Sequence, residues 1–196
     1  MIDLDLNKER FTQLFNKYIT REGSEKLLKW LTDSDFFTAP ASSKFHNAVT
    51  GGLCDHSLNV FDRAVELIDN ENKKDGSPFK NITMENVAVA TLLHDVCKVN
   101  FYEVQLRNIK VDGIWEQVPY YSVNDSLPYG HGEKSVYIIS GFMRLTRDEA
   151  MAINWHMGGF DKRVVGGDFS LSKAFSDYPF ATIVHIADIM ATYFDE

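Results

Sequence analysis

Cysteine, positive charge and long apolar runs are all scarce in this chain, and each shortage excludes something. Cys54 and Cys97 are the only two thiols among 196 residues. They form no CxxC pair, which argues against a short redox or zinc motif, and in a reducing compartment both stay free. Free cysteine packs like a small hydrophobe, so both read as core residues. Lys and Arg number 20 against 28 Asp and Glu, a net charge of −8. An extended nucleic acid needs a basic footprint to neutralise its phosphates and is disfavoured as a partner, whereas a small anion held by a few local cations is not. No stretch approaches the roughly 18 to 20 apolar residues of a membrane helix, and Met1-Ile2-Asp3-Leu4-Asp5-Leu6 lacks the basic-then-apolar order of a signal peptide. A cytoplasmic chain with no membrane partner is expected; these features do not specify an oligomeric state.

At 44% hydrophobic, a chain of this length can bury a substantial core as one domain, residues 1–196. Phe11, Leu14, Phe15, Tyr18 and Ile19 recur at helical spacing over residues 7–20, and Ser24 is placed to cap a second helix carrying Leu27, Leu28, Trp30 and Leu31. This segment, residues 1–40, reads as an N-terminal helical extension or lid. A Pro and Ser loop then leads to Gly51-Gly52 and a long helix over about 53–69, with His56 one turn before Val60 on its apolar stripe. Thr83 is placed to cap the next helix, in which Val87, Ala90 and Thr91 precede His94 by seven, four and three residues, so His94 shares their face. Alternation at Phe101–Leu106 and Ile114–Val118 about the Asp112-Gly113 turn predicts a β-hairpin over about 101–123, placed to wall a pocket with Tyr102, Arg107, Trp115, Tyr120 and Tyr121. Thr146 and Glu149 have capping-box spacing for a helix that Gly158-Gly159 stops. A loop follows over 160–169, Ser170 is placed to cap a short helix, and Phe180–Tyr193 reads as the final helix.

The stretch Thr91-Leu92-Leu93-His94-Asp95-Val96-Cys97-Lys98 puts an imidazole and a carboxylate at the end of an apolar helical run, where a buried charge needs a partner or a metal. His56 precedes it; His131, His156 and Asp188 follow. Gly51-Gly52-Leu53-Cys54-Asp55-His56, Leu92-Leu93-His94-Asp95, Gly130-His131-Gly132-Glu133-Lys134-Ser135, Trp155-His156 and His185-Ile186-Ala187-Asp188, in that order, resemble the HD superfamily of metal-dependent phosphohydrolases, specifically its two-metal branch.

The resemblance, from about residue 45 to 193, implies a mainly all-α HD-domain bundle with the hairpin as an insertion, around a metal-binding core. It implies His56, His94, Asp95, His131, His156 and Asp188 as ligands of two divalent transition ions. Iron or manganese is favoured, and zinc, cobalt and nickel are compatible with the donors. It further implies hydrolysis of a phosphate ester, of a nucleotide by preference, through a metal-activated water, with Asp95 bridging the ions and Lys98 as the phosphate-contacting lysine. The bland reading of Lys98 is a solvated helix-end lysine. Lys134 and Arg163 are further candidate substrate contacts, His185 reads as a support for a ligand, and His46 as a loop or packing residue. Alternatives from the same resemblance are a 3′-5′ exoribonuclease, a di-iron oxygenase and a non-catalytic nucleotide sensor.

Overall fold

The computed structural model describes residues 2–196. Helix α1 (Leu4–Tyr18) begins where Asp3 accepts a hydrogen bond from the Leu6 amide. It buries Phe11 and Phe15 against Phe36 and Phe37, with the Phe11 and Phe36 ring centroids 4.9 Å apart. Helix α2 (Ser24–Asp33) starts differently from the expected Ser24 cap: Gly23, at φ 90°, is the N-cap residue and Ser24 is the first helical residue. A side chain at Gly23 would bring its Cβ within 1.8 Å of the Phe142 carbonyl oxygen, so both the backbone angle and the close approach require glycine there. Leu27 and Leu31 of α2 join the same buried cluster as the helices that follow.

Helix α3 (Gly52–Asn72) is the central element. Leu53, Leu58, Val60, Ala64 and Ile68 are buried along it, and it packs on α4 (Met84–Leu92) and α9 (Pro179–Met190). A capping box between Thr83 and Asn86 starts α4. The expected continuation of that helix through His94 does not occur: α4 ends at Leu92, and Val96–Lys98 forms a separate 3-10 turn. Leu93 (φ −119°, ψ 0°) and Asp95 (φ −107°, ψ 17°) occupy the sparsely allowed bridge region, which turns the chain out of the helix at the motif.

Strands β1 (Tyr102–Val111) and β2 (Ile114–Val123) pair antiparallel about Asp112-Gly113, whose positive φ values of 49° and 88° suit a two-residue hairpin turn. The arm packs chiefly on itself. Only Tyr102 of the expected wall residues lines the cavity described below. Trp115, in contrast, is 68% exposed. The architecture is therefore mainly α with one small hairpin.

Helix α5 (His131–Ser140) packs on α6 (Arg147–Trp155), which opens on the Thr146–Glu149 capping box. The expected loop over 160–169 contains a short helix, α7 (Lys162–Val165), capped by Asp161. In α8 (Ser170–Asp177) the N-cap is Phe169 rather than Ser170. The α-helical part of α9 stops at Met190, and Ala191–Asp195 continues as a π turn. No helix among the described residues is long and apolar enough to cross a membrane.

Candidate metal centre

The bundle's helices bring their polar residues to one place by two routes. His56 and Asp188 project from the interiors of α3 and α9, and the remaining donors lie at helix ends. A terminating helix leaves its last carbonyls without amide partners. At the end of α4, the Thr91 carbonyl accepts from His94 Nδ1 at 2.7 Å. At the end of α6, the Ile153 carbonyl accepts from His156 Nδ1 at 2.6 Å. A carbonyl can only accept, so in both rings Nδ1 carries the proton and, in the neutral ring, Nε2 keeps its lone pair. His56 has the same arrangement through a carboxylate, with Nδ1 2.8 Å from Glu196 Oε1.

The freed nitrogens converge. His56 Nε2 lies 3.1 Å from Asp188 Oδ1 and 3.3 Å from His94 Nε2. Asp95 stands between two sets of rings and turns one oxygen to each. Its Oδ2 lies 3.4 Å from His94 Nε2 and 3.8 Å from His56 Nε2, while its Oδ1 lies 2.7 Å from His131 Nε2 and 3.5 Å from His156 Nε2. Potential ligand atoms accordingly cluster as His56 with His94 and Asp188, His94 with Asp95 and His156, and Asp95 with Cys97 and His131.

Electrostatics keep the carboxylates ionised in this interior. Burial pushes the Asp95 carboxyl up, but Lys98, together with the hydrogen bond from His131, outweighs it and holds it well below the usual carboxylate range. Lys98 Nζ is 2.6 Å from Asp95 Oδ2, and that carboxylate keeps the lysine charged despite its own burial. Burial likewise raises Asp188, and His56 brings it below its ordinary value. In His94 burial wins, lowering the pKa and favouring the neutral ring that a metal requires. His56 is the reverse: burial opposes its charge, yet Asp188 and Glu196 lift it to about 10. To hold a cation, His56 would have to give up that proton.

The donor set fits divalent transition ions: imidazole nitrogens and carboxylate oxygens, all facing inward. One atom marks the fit directly. His156 Nε2 is buried and has no hydrogen-bond partner among the described residues. Against burial, Asp95 Oδ1, 3.5 Å away, raises the pKa of the ring without reaching hydrogen-bond distance, and a cation in place of the proton would satisfy both atoms.

A cavity of about 790 Å³ opens onto the cluster, with His56, Asp95, Lys98, His131, His185 and Asp188 in its lining. Phe45, Met157, Phe160, Ile189 and Tyr193 form apolar parts of its wall. A larger cleft of about 1240 Å³ beside the starts of α2 and α6 contains none of the cluster residues.

Lys134 and Arg163 are placed differently from the expected substrate contacts, since neither lines the cavity. Lys134 pairs with Asp125 and lies 4.7 Å from the Phe101 ring centroid. Arg163 pairs with Glu133 and Asp161, both at 2.7 Å, and lies over Trp155. His185 supports the backbone beside a cluster histidine: its Nδ1 is 2.6 Å from the His156 carbonyl oxygen. Gly158 at φ 52° makes room for it, since a Cβ there would come within 2.2 Å of the His185 ring.

His46, expected to be a packing residue, lines the cavity with its ring centroid 4.9 Å from that of His56, and its Nε2 has no partner among the described residues. Glu196 was not foreseen at all. Its side chain is fully buried against His56, beyond the end of α9, where no helical period points to it.

Helices delivering histidines and carboxylates to a single buried point define a mainly α-helical protein with a candidate metal centre. Residues 53–193, more than half of the chain, match the HD domain, and the chain belongs to the HD domain family of metal-dependent phosphohydrolases. Searches of curated proteins and of solved structures each found no match.

Proposed function

We propose that this chain hydrolyses a phosphate monoester of a nucleotide at a two-ion centre. His56, His94, Asp95 and Asp188 hold one divalent cation; His131 and His156 hold the second together with Asp95. The observation that carries this reading is the division of Asp95, with Oδ2 toward His94 and His56 and Oδ1 toward His131 and His156. A carboxylate placed in this way can bridge two ions. When bound, such ions supply Lewis acidity, lowering the pKa of water and withdrawing charge from a phosphoryl oxygen.

The residues of the chain then have separable tasks. Backbone carbonyls hold the Nδ1 protons of His94 and His156, so His94, and His156 once Asp95 no longer holds it protonated, would present Nε2 lone pairs. Lys98 offsets negative charge as it develops on the phosphoryl group. Among the described residues it is the only Lys or Arg lining the cavity, a supply of positive charge suited to one phosphoryl group rather than a polyphosphate tail. The apolar wall of Phe45, Phe160 and Tyr193 provides surface for an aromatic base. The net charge of −8 disfavours extended RNA and hence the exoribonuclease reading.

The test is metal content per chain after purification without chelator, followed by phosphate release from mono-, di- and triphosphate nucleotides and an RNA oligonucleotide with each metal restored. Near two ions per chain and preferential release from monophosphates are expected. Asp95→Asn should reduce both bound metal and turnover at least 100-fold, and a metal-free, fully active variant would refute the mechanism. Oxygen-dependent substrate consumption without phosphate release would favour the oxygenase. Bound, unchanged nucleotide after long incubation would favour the sensor.

A further inference from the structure

We infer that His46 is a substrate-binding residue of the centre, taking a hydroxyl of the nucleotide's sugar. This rests on the nucleotide reading above and names the part of the substrate that one wall of the cavity recognises. The His46 ring lines the cavity, and its Nε2 is buried with no hydrogen-bond partner among the described residues. The other five histidines each have a ring nitrogen engaged by a carbonyl or a carboxylate. A buried polar atom left unpaired is a standing cost. A half-turn of the ring about Cβ–Cγ breaks no hydrogen bond at Nε2 and carries that nitrogen to the opposite edge, where a ligand in the cavity can reach it.

The loop holds this side chain in place from both sides. Ser42 Oγ accepts from the Phe45 amide and donates to the His46 carbonyl oxygen, both at 2.8 Å. Asn47, at φ 42°, is in the left-handed region that residues other than glycine seldom adopt. Its carbonyl oxygen accepts from the Ala41 amide at 3.0 Å, and its side-chain amide donates to Asp55 Oδ2 at 2.9 Å. Gly52 leaves room for that carbonyl, since a Cβ there would come within 2.0 Å of the oxygen. The backbone around His46 is thus tied to α3, with the His46 and His56 ring centroids 4.9 Å apart. A side chain fixed in this way by its supports is preorganised for a binding contact.

A further cation does not match His46. Ligand atoms of His46, His56 and Glu196 lie within 4.8 Å of one another, but His56 Nδ1 is held by Glu196 at 2.8 Å while its Nε2 faces Asp188 and His94. A cation in that trio would need His56 to coordinate through Nδ1 as well. A phosphoryl oxygen does not match either, because the Glu196 carboxylate so close by repels it. The neighbouring wall residues Ser42, Ser43 and Phe45 bring no positive charge to offset that repulsion. A sugar hydroxyl is uncharged and both donates and accepts, so it meets a neutral imidazole in either tautomer.

The metal-loaded, full-length protein should be compared with His46→Ala, His46→Phe and His46→Asn in two measurements. The first is calorimetric binding of adenosine and of inorganic phosphate, neither of which can turn over. Alanine and phenylalanine should lower the affinity for adenosine relative to phosphate by about 3- to 10-fold, the value of one hydrogen bond, and asparagine should return part of it. The second is kcat/KM, where the preference for adenosine 5′-monophosphate over phenyl phosphate should fall by the same factor. His46→Phe keeps a ring against His56, and circular dichroism of each variant checks its folding. A native preference in folded His46→Phe would reduce His46 to packing and overturn the inference. Equal losses for adenosine and phosphate would place it on the phosphoryl group, and loss of bound metal would make it a ligand; either result also overturns it. A native chain that binds adenosine but releases phosphate from neither ester would overturn the hydrolase reading and leave His46 to stand or fall on binding. A native chain with no affinity for adenosine would overturn both.

Discussion

Three of the four cluster histidines are set by what holds the outer nitrogen: a backbone carbonyl for His94 and His156, a carboxylate for His56. The histidines and aspartates were legible in the sequence because their order and neighbouring residues are distinctive. Their outer partners were not, because any residue has a carbonyl and Glu196 follows no periodic pattern. Charge likewise marked Lys134 and Arg163 as substrate contacts, but it could not say that nearby carboxylates would engage both. If Glu196 orients His56, Glu196→Ala should weaken metal binding by about 10- to 100-fold, measured by chelator competition, and Glu196→Gln should restore part of it. Unchanged affinity in the alanine variant would limit Glu196 to packing.

Asp161 caps α7 and pairs with Arg163. Burial raises its carboxyl, but hydrogen bonds from Arg163 outweigh this and lower it below the ordinary value. Its folded pKa therefore lies below its unfolded one. The stability it contributes is present above the unfolded value, about pH 3.9, and is lost as pH falls through the folded value. Asp161→Asn should cost about 1.5 to 3 kcal/mol at neutral pH, the range for a charged hydrogen bond. The gap from the native chain should close below about pH 4 in denaturant titrations; a gap that stays constant with pH would rule out the ion pair as its source.

At the scale of elements, apolar periodicity located the helices and turn chemistry located the hairpin and the Thr146 cap. It failed where local geometry overrode periodicity. The break after Leu92 that presents His94 and Asp95 could not be read from a face pattern that runs straight through it. Elements are also tied across the bundle by Arg21, in the turn between α1 and α2. Its guanidinium holds the fully buried Glu149 of α6 through two 2.7 Å hydrogen bonds and reaches Glu85 of α4 at 3.1 Å. Removing one member of such a pair strands a buried charge. Arg21→Met should cost about 3 to 5 kcal/mol in chemical denaturation, and Arg21→Met with Glu149→Leu should recover much of it. The hairpin should behave in the opposite way. Replacing residues 104–121 with an Asn-Gly turn joins Glu103 to its cross-strand partner Ser122. Helical circular dichroism and metal content should then be unchanged, because the arm packs chiefly on itself; loss of metal would assign it a role in holding the centre.

For the whole molecule, the family was legible from motif order, but the substrate was not, because the cavity wall is assembled from residues far apart in the chain, such as Phe45, Phe160 and Tyr193. The same assembly places polar groups in the middle of the fold. His56, His94, Asp95 and His156 are each at most 2% exposed, and they sit where α3, α4, α6 and α9 meet. Without a cation, this interior retains an unpaired His156 nitrogen and two ionised carboxylates that depend on nearby protonated groups. A bound cation satisfies those donors only when all the helices are in place, so metal binding and folding should be coupled. With free metal at about 100 times its dissociation constant, the gain is about 2.7 kcal/mol per site. A chain of this size shifts its midpoint by about 2 to 4 °C per kcal/mol. Calorimetry before and after chelation should therefore show the melting temperature fall by roughly 5 to 10 °C for each ion removed. It should recover on adding back zinc, iron or manganese. Asp188→Asn should abolish about half of that recovery, because it removes a proposed ligand of one of the two ions and an anchor of His56. If metal analysis verifies complete removal and the melting temperature does not move, the buried cluster is satisfied by its own protons and the folded state does not depend on the cation.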